Sequence, residues 1–156
     1  MKKLVAVLCL TLFLLIGCSS SDTPKEETKS EYSIGETAEI KNFNITVNSI
    51  KSLDGNEFIS PDEGEEWIAI DMTFENTGEE SKYIGGILEL SLKDQDGRSK
   101  DYNIFGDTDG SLDGDVLPGE KLSGEISFII SGDEASLNLY YQPTFSTSKP
   151  IKFKIK

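Results

Sequence analysis

The 156-residue sequence contains no histidine. That absence excludes a Ser-His-Asp triad, a Cys-His dyad and any imidazole-ligated metal. Cysteine is almost as scarce: Cys9 and Cys18 both lie near the amino terminus. The remainder of the chain therefore has no disulfide, no zinc-thiolate site and no thiol chemistry. Positive charge is also in short supply. Fifteen basic against 28 acidic side chains give a formal charge of −13, and a face for nucleic-acid phosphates needs the opposite balance. No apolar run reaches the roughly 20 residues that a membrane-spanning helix requires. The first run, Leu4 to Ile16, has Thr11 as its only polar member and stops after 13 residues.

That short run follows Lys2 and Lys3, the layout of a secretory signal peptide over residues 1–17. Its end, Leu15-Ile16-Gly17-Cys18, resembles the bacterial lipobox, in which an apolar pair and a small residue precede an invariant cysteine. The resemblance implies a diacylglycerol on the sulfur of Cys18, with cleavage before that residue making it the new amino terminus. Two acyl chains on one cysteine give lasting attachment where a single chain gives only marginal binding. The carboxyl end has no second hydrophobic segment, so the lipid is expected to be the only anchor. Loss of Lys2 and Lys3 leaves a net charge of −15, which repels the domain from an anionic membrane surface. From Ser19 to Ser30 there is no apolar residue. Residues 18–31 are accordingly read as the lipidated cysteine and a disordered, hydrated linker.

Residues 32–156 carry hydrophobic residues at period two. Ile68, Ile70, Met72 and Phe74 alternate with polar or small residues, as do Leu88, Leu90 and Leu92, then Ile126, Phe128 and Ile130. Leu137, Leu139 and Tyr141 form a further run, and Ile151, Phe153 and Ile155 close the chain among lysines. Ile45, Val47 and, less regularly spaced, Ile50 open the series. Turn signals separate these runs: Asn76-Thr77-Gly78, Asp94-Gln95-Asp96-Gly97, Pro118-Gly119 and Ser131-Gly132-Asp133. No amphipathic helix is evident. The pattern predicts six to eight short antiparallel strands in an all-β, immunoglobulin-like two-sheet sandwich, with a small barrel as the alternative.

Several motifs follow one another along the chain: Ile34-Gly35-Glu36-Thr37, the long run from Gly64 through Trp67 to Asn76-Thr77-Gly78, Leu117-Pro118-Gly119-Glu120, then Gly124-Glu125-Ile126-Ser127-Phe128 and Leu137-Asn138-Leu139-Tyr140-Tyr141. This order resembles a bacterial extracellular domain family of unknown function whose fold is like that of a secreted mycobacterial antigen. Its members are often lipoproteins of Gram-positive bacteria. The resemblance spans residues 32–156. It implies an immunoglobulin-like sandwich and supplies no catalytic residues.

The most pointed candidate site is the acidic loop from Asp107 to Asp115. Counted from Asp109, it places Asp109, Ser111 and Asp113 at positions 1, 3 and 5, Gly114 at 6 and Glu120 at 12, the spacing of a calcium loop. Calcium takes six to eight oxygens, for which Asp107, Asp109, Ser111, Asp113 and Asp115 are better placed than Glu120. Leu117 at position 9 has no side-chain oxygen, and a glycine-rich acidic turn needs no metal to form. Trp67, out of phase with Ile68 and Ile70, is expected in the core or beneath a loop, with a ligand platform as the alternative. Tyr140 is expected to face away from Leu139 and Tyr141 as a scattered surface aromatic, with an exposed binding contact as the alternative. The loop from Asp54 to Glu66 is read as solvated. Lys149, Lys152, Lys154 and Lys156 are read as an outer lysine face that protects a sheet edge, with a patch for acidic wall polymers as the alternative. Taken together, the sequence points to a membrane-anchored extracellular lipoprotein with a non-catalytic binding domain and no cofactor. Its partner would be an envelope protein, a wall polymer or a host molecule. The alternatives are a calcium-responsive adhesion or sensor module and an accessory subunit of a membrane complex.

Overall fold

The computed structural model describes residues 29–156, so the expected signal peptide, Cys18 and most of the expected linker lie outside the described residues. Eleven strands and one short helix follow in order: β1 (Glu31–Ser33), β2 (Thr37–Ile40), β3 (Phe43–Leu53), β4 (Glu65–Asn76), β5 (Lys82–Gly85), α1 (Gly86–Glu89), β6 (Leu90–Asp94), β7 (Asp101–Tyr102), β8 (Asp113–Val116), β9 (Lys121–Ser131), β10 (Leu137–Tyr141) and β11 (Ile151–Lys154). One sheet has the order β1-β11-β10-β6 and the other β2-β3-β4-β9-β7, while β5 and β8 form a separate two-stranded ladder. None of the helices among the described residues is long and apolar enough to cross a membrane.

The period-two residues meet between the sheets. Ile45, Val47, Ile70, Met72, Phe74 and Phe128 come from the five-stranded sheet, and Leu92, Leu137, Leu139, Tyr141 and Phe153 from the four-stranded one. Phe74 and Tyr141 pack ring on ring across the gap, with centroids 5.4 Å apart and tilted by 60°, a geometry that suits aromatic quadrupoles. Two sheets facing each other across this core make a sandwich rather than a closed barrel.

Four features go beyond the sequence pattern. First, the odd step from Val47 to Ile50 has a cause: the β3–β4 register shifts between Val47 and Ser49, so that Val47 lies opposite Met72 and Ile50 opposite Ile70. An extra residue in one strand does this. Second, Leu88 is not a strand residue. It sits in α1 and is 79% exposed, so the alternating run begins only at Leu90. Third, β1 pairs in parallel with β11, the exception in an otherwise antiparallel arrangement. The lysine-bearing strand is therefore not a sheet edge, and its lysines have partners: Lys152 and Lys154 each lie 2.7 Å from a Glu31 oxygen. Fourth, the Ser131–Asp133 turn leads from one sheet to the other, because β9 and β10 do not pair with each other.

The turns form as their chemistry dictates. Gly119 has φ 79°, the left-handed conformation that glycine adopts without a Cβ penalty. It closes a turn in which the Glu120 N–H donates to Leu117 O at 3.0 Å. Asn76 then secures that end of the sandwich. Its Nδ2 donates to Glu80 O at 2.7 Å and Val116 O at 2.8 Å, and its Oδ1 accepts from the Gly78 N–H at 2.9 Å.

Candidate functional site

The five-stranded sheet is covered on its outer face around Trp67. Trp67 lies opposite Leu53 on β3 and Ile129 on β9, and Ala69 opposite Lys51 and Ser127. All six side chains share the outer face, since directly opposed residues in a sheet point the same way. Trp67 and Ala69 are nevertheless buried. The segment that follows β7 lies over this patch. A Cβ on Gly106 would stand 2.8 Å from Leu53 Cδ1 and 2.7 Å from Ser127 Oγ, so the backbone passes directly over these side chains. At 3% exposure, the Trp67 indole has no open face for a ligand.

The covering segment is locally determined. The Asn103 N–H donates to Ser127 O at 2.8 Å, and Asn103 Oδ1 accepts from the Phe105 N–H at 3.0 Å. This side-chain turn reverses the chain and leaves Ile104 and Phe105 pointing outward, 76% and 55% exposed. Across from them lies α1, with Ile87 and Leu88 also exposed. The Tyr102 hydroxyl ties the two sides together, 2.8 Å from Ile87 O and within hydrogen-bond reach of Leu90 O. Burial raises its pKa. The Gly86 N–H donates to Leu112 O at 3.1 Å, which seats α1 against the third wall, residues 110–113.

These walls enclose a groove of about 200 Å³ floored by Glu125, Ile126 and Ser127 of β9. Two floor atoms have no hydrogen-bond partner: Asn103 Nδ2 and Ser127 Oγ. Both residues are more than nine-tenths buried, at 6% and 4% exposure. Unpaired buried polar atoms are uncommon and costly. Here both line the same groove and both flank Gly106. Both atoms lie beneath Gly106, and the groove above them carries the exposed apolar side chains of Ile87 and Ile104 on its walls.

The acidic loop forms one side of this groove. The Asp109 N–H donates to Glu125 Oε2 at 2.8 Å and Asp109 O accepts from the Glu125 N–H at 3.0 Å. Ser111 Oγ accepts from the Asp113 N–H at 3.2 Å. Asp113 and Asp115 lie on β8, where Asp115 is opposite Tyr83, and Glu120 closes the turn beyond. Among the described residues, no three of the carboxylates gather into a group that could hold a metal ion. The cation beside them is Lys51, whose ammonium lies 2.8 Å from Glu125 Oε1. The hydrogen bond that Lys51 donates to Glu125 raises the Lys51 pKa, with help from the nearby charges of Asp109 and Asp107. Burial pushes the Glu125 carboxyl up, but the Lys51 and Asp109 donors outweigh it and leave the pKa lowered.

Tyr140 points away from the core as expected and is half-buried. The Lys93 ammonium caps its ring at 5.4 Å. A second polar cluster, invisible in the sequence, sits at the opposite side of the core. Lys82 Nζ donates to the Tyr141 hydroxyl at 3.0 Å and rests 4.7 Å from the Phe43 ring centroid. Burial lowers the Lys82 pKa and raises that of Tyr141, the latter aided by the charge of Glu89. Glu89 Oε1 in turn accepts from the Thr144 N–H at 2.8 Å. This cluster holds the segment between β10 and β11 in place.

Two sheets packed face to face, with a groove beside the short strand β7, define an immunoglobulin-like β-sandwich domain. The chain belongs to the family described as a domain of unknown function, DUF4352, whose model matches residues 32–152. Three solved structures share the fold. The yjhA protein of Bacillus subtilis is 22% identical, with 80% of this chain and 99% of that one covered and a TM-score of 0.62. The “putative lipoprotein” ycdA of Bacillus subtilis is 13% identical, with 77% of this chain but only 38% of that one covered and a TM-score of 0.61. The secreted protein MPT63 of Mycobacterium tuberculosis is 11% identical, with 81% and 95% covered and a TM-score of 0.52. No functionally curated protein matches the sequence.

Proposed function

We propose that this chain is an exported lipoprotein, held at the outer face of a membrane by diacylglycerol on Cys18, whose sandwich domain binds a partner without chemistry. The anchoring half of this reading rests on Leu15-Ile16-Gly17-Cys18 behind a short apolar run. The likeness to a protein described as a lipoprotein and to a secreted one is consistent with it. The binding half is carried by one observation: a groove of about 200 Å³ with exposed Ile87 and Ile104 on its walls and the buried polar residues Asn103 and Ser127 beneath it. A concave site with apolar walls and a few convergent polar groups is the usual form of a recognition site. The non-catalytic part of the proposal is supported at this groove by the same serine. Ser127 Oγ has no hydrogen-bonded base, and an unactivated hydroxyl is a poor nucleophile.

Two experiments test the two halves. In a bacterial host that processes lipoproteins, the native chain should sediment with membranes and incorporate labelled palmitate, whereas Cys18→Ala should be shed unlabelled. Equal retention of both chains in the membrane fraction would refute the anchor. For the binding half, a photo-crosslinking amino acid replaces Ile104 on intact cells, with exposed Glu39 on β2 as the control position. A discrete adduct from position 104 and none from position 39 is expected. Identical adduct patterns from both positions would refute the groove.

A further inference from the structure

A second groove, of about 540 Å³, opens beside the Lys82 cluster. One wall is the β2–β3 hairpin, where the pairing of Ile40 with Phe43 leaves Lys41 and Asn42 as a two-residue tip. The other comes from the loop that carries Pro143, Ser146 and Ser148. That loop is preformed. Gln142 Nε2 donates to Ser146 O at 3.2 Å and to Ser148 O at 3.1 Å, and the Ser146 N–H donates to Pro143 O at 3.0 Å. Lys41 has φ 49°, and Phe145 in the second loop has φ 60°. Among the described residues, these are the two non-glycine residues in the left-handed region. A hairpin tip favours glycine, asparagine or aspartate where φ is positive, so turn formation does not account for a lysine there. Backbone strain of this kind gathers at ligand sites.

Charge marks the same groove. Lys29, Lys51, Lys100, Lys121, Lys152 and Lys154 each have a carboxylate partner. Among the described residues Lys41 and Lys82 have none, and both line this groove. The Lys82 ammonium gives one of its three donors to the Tyr141 hydroxyl and keeps the others. Glu80 is the carboxylate on the lining, so lysine is in excess there within a chain of net charge −13. Glu89, whose charge reaches Lys82, is buried and does not line the groove. Exposed Asn42, Ser146 and Ser148 add an amide and two hydroxyls to the lining. A phosphate monoester carries close to two negative charges near neutral pH, a match for two ammonium groups that a carboxylate lacks. From this juxtaposition we infer that the groove binds a phosphorylated polyol, with its phosphate on Lys41 and Lys82 and its hydroxyls on Asn42, Ser146 and Ser148. The site is separate from the groove beside β7 and does not depend on the reading of that groove.

The test titrates the full chain in detergent, by isothermal calorimetry, with glycerol 3-phosphate, inorganic phosphate, glycerate and dihexanoyl phosphatidylglycerol. Glycerol 3-phosphate should bind with a Kd of about 1 mM or below. Inorganic phosphate should bind about fivefold more weakly, the worth of one hydrogen bond. The singly charged glycerate and lipid should also bind about fivefold more weakly, for want of the second charge. Lys82→Met keeps an aliphatic stem against Phe43 and should weaken glycerol 3-phosphate about tenfold. Lys41→Gly removes a charge and relieves the positive φ, so it should weaken binding about fivefold while leaving Tm unchanged or raised. Lys156→Met, away from this lining, should leave binding unchanged. If glycerate or the lipid binds as tightly as glycerol 3-phosphate, the phosphate monoester is wrong. If inorganic phosphate does, the polyol is wrong. No saturable heat with any of the four, or an equal loss from Lys82→Met and Lys156→Met, overturns the site.

Discussion

Single residues here do work that their sequence neighbours only hint at. Asn76 is part of an Asn-Thr-Gly turn, and its bond to the Gly78 N–H is the one such a turn implies. The same side chain also reaches Val116, 40 residues away, and Glu80, which no local pattern announces. Asn76→Ala should therefore cost about 2–4 kcal/mol, because buried carbonyls lose their donor. Asn76→Asp should be no better, since a carboxylate cannot donate. Urea denaturation of the two variants measures this, and an unchanged midpoint in Asn76→Ala would show that water replaces the amide. Ser127 illustrates the reverse case. Its position in the alternating run marks it as outward-facing, and polar residues are ordinary there. Only the fold reveals that the 103–106 segment covers it, so the orphaned hydroxyl and the groove were not legible. The calcium-loop spacing was legible, but spacing along the chain says nothing about convergence in space. β8 is extended, and it carries Asp113 and Asp115 along a ladder.

At the scale of elements, the period-two runs foretold β4, β9, β10 and β11 because each buries one face against the opposite sheet. Leu88 broke the rule because apolar residues at alternate positions do not by themselves exclude a helical turn. β1 was missed because its pattern is too short: only Tyr32 of its three residues is buried. Main-chain pairing with β11 and the packing of Tyr32 on Phe153 hold β1, and charge adds to them. Lys152 and Lys154 depress the Glu31 carboxyl from its usual 4.5 to about 2. A folded pKa below the unfolded one contributes stability above the ordinary carboxylate range and loses it as pH falls toward the folded value. Amide exchange in β1 should therefore accelerate between about pH 4.5 and 2, ahead of the core strands. In Glu31→Gln, β1 should exchange fast at neutral pH with no such dependence. Protection that is indifferent to both changes would mean that main-chain pairing with β11 suffices.

Taken as a whole, the molecule joins its two sheets with more than apolar contact. Lys100 lies 3.0 Å from Asp94 and also contacts Glu134, with all three side chains at or below 14% exposure. This triad links the turn after β6 in one sheet to the β9–β10 crossover from the other. Burial opposes the Lys100 charge, but hydrogen bonds to Glu134 and Asp94 prevail and raise its pKa. Lys100→Met would strand two carboxylates and should lower the urea midpoint substantially. Adding Asp94→Asn and Glu134→Gln should recover most of the loss, since a neutral trio carries no stranded charge. A triple variant as unstable as the single one would contradict this account.

The sandwich also fixes where the linker enters. The Lys152 N–H donates to Ser30 O at 3.1 Å, so the chain from Cys18 joins at the start of β1 beside β11, while the groove lies by β7 on the other sheet. A domain held from the first position keeps the second free for a partner. This arrangement has meaning only if Cys18 bears lipid. Mass spectrometry of the amino-terminal peptide from purified membranes decides that point. The account predicts a chain beginning at Cys18 and carrying a diacylglyceryl mass. A peptide that retains residues 1–17, or begins at Cys18 with an unmodified thiol, would contradict it.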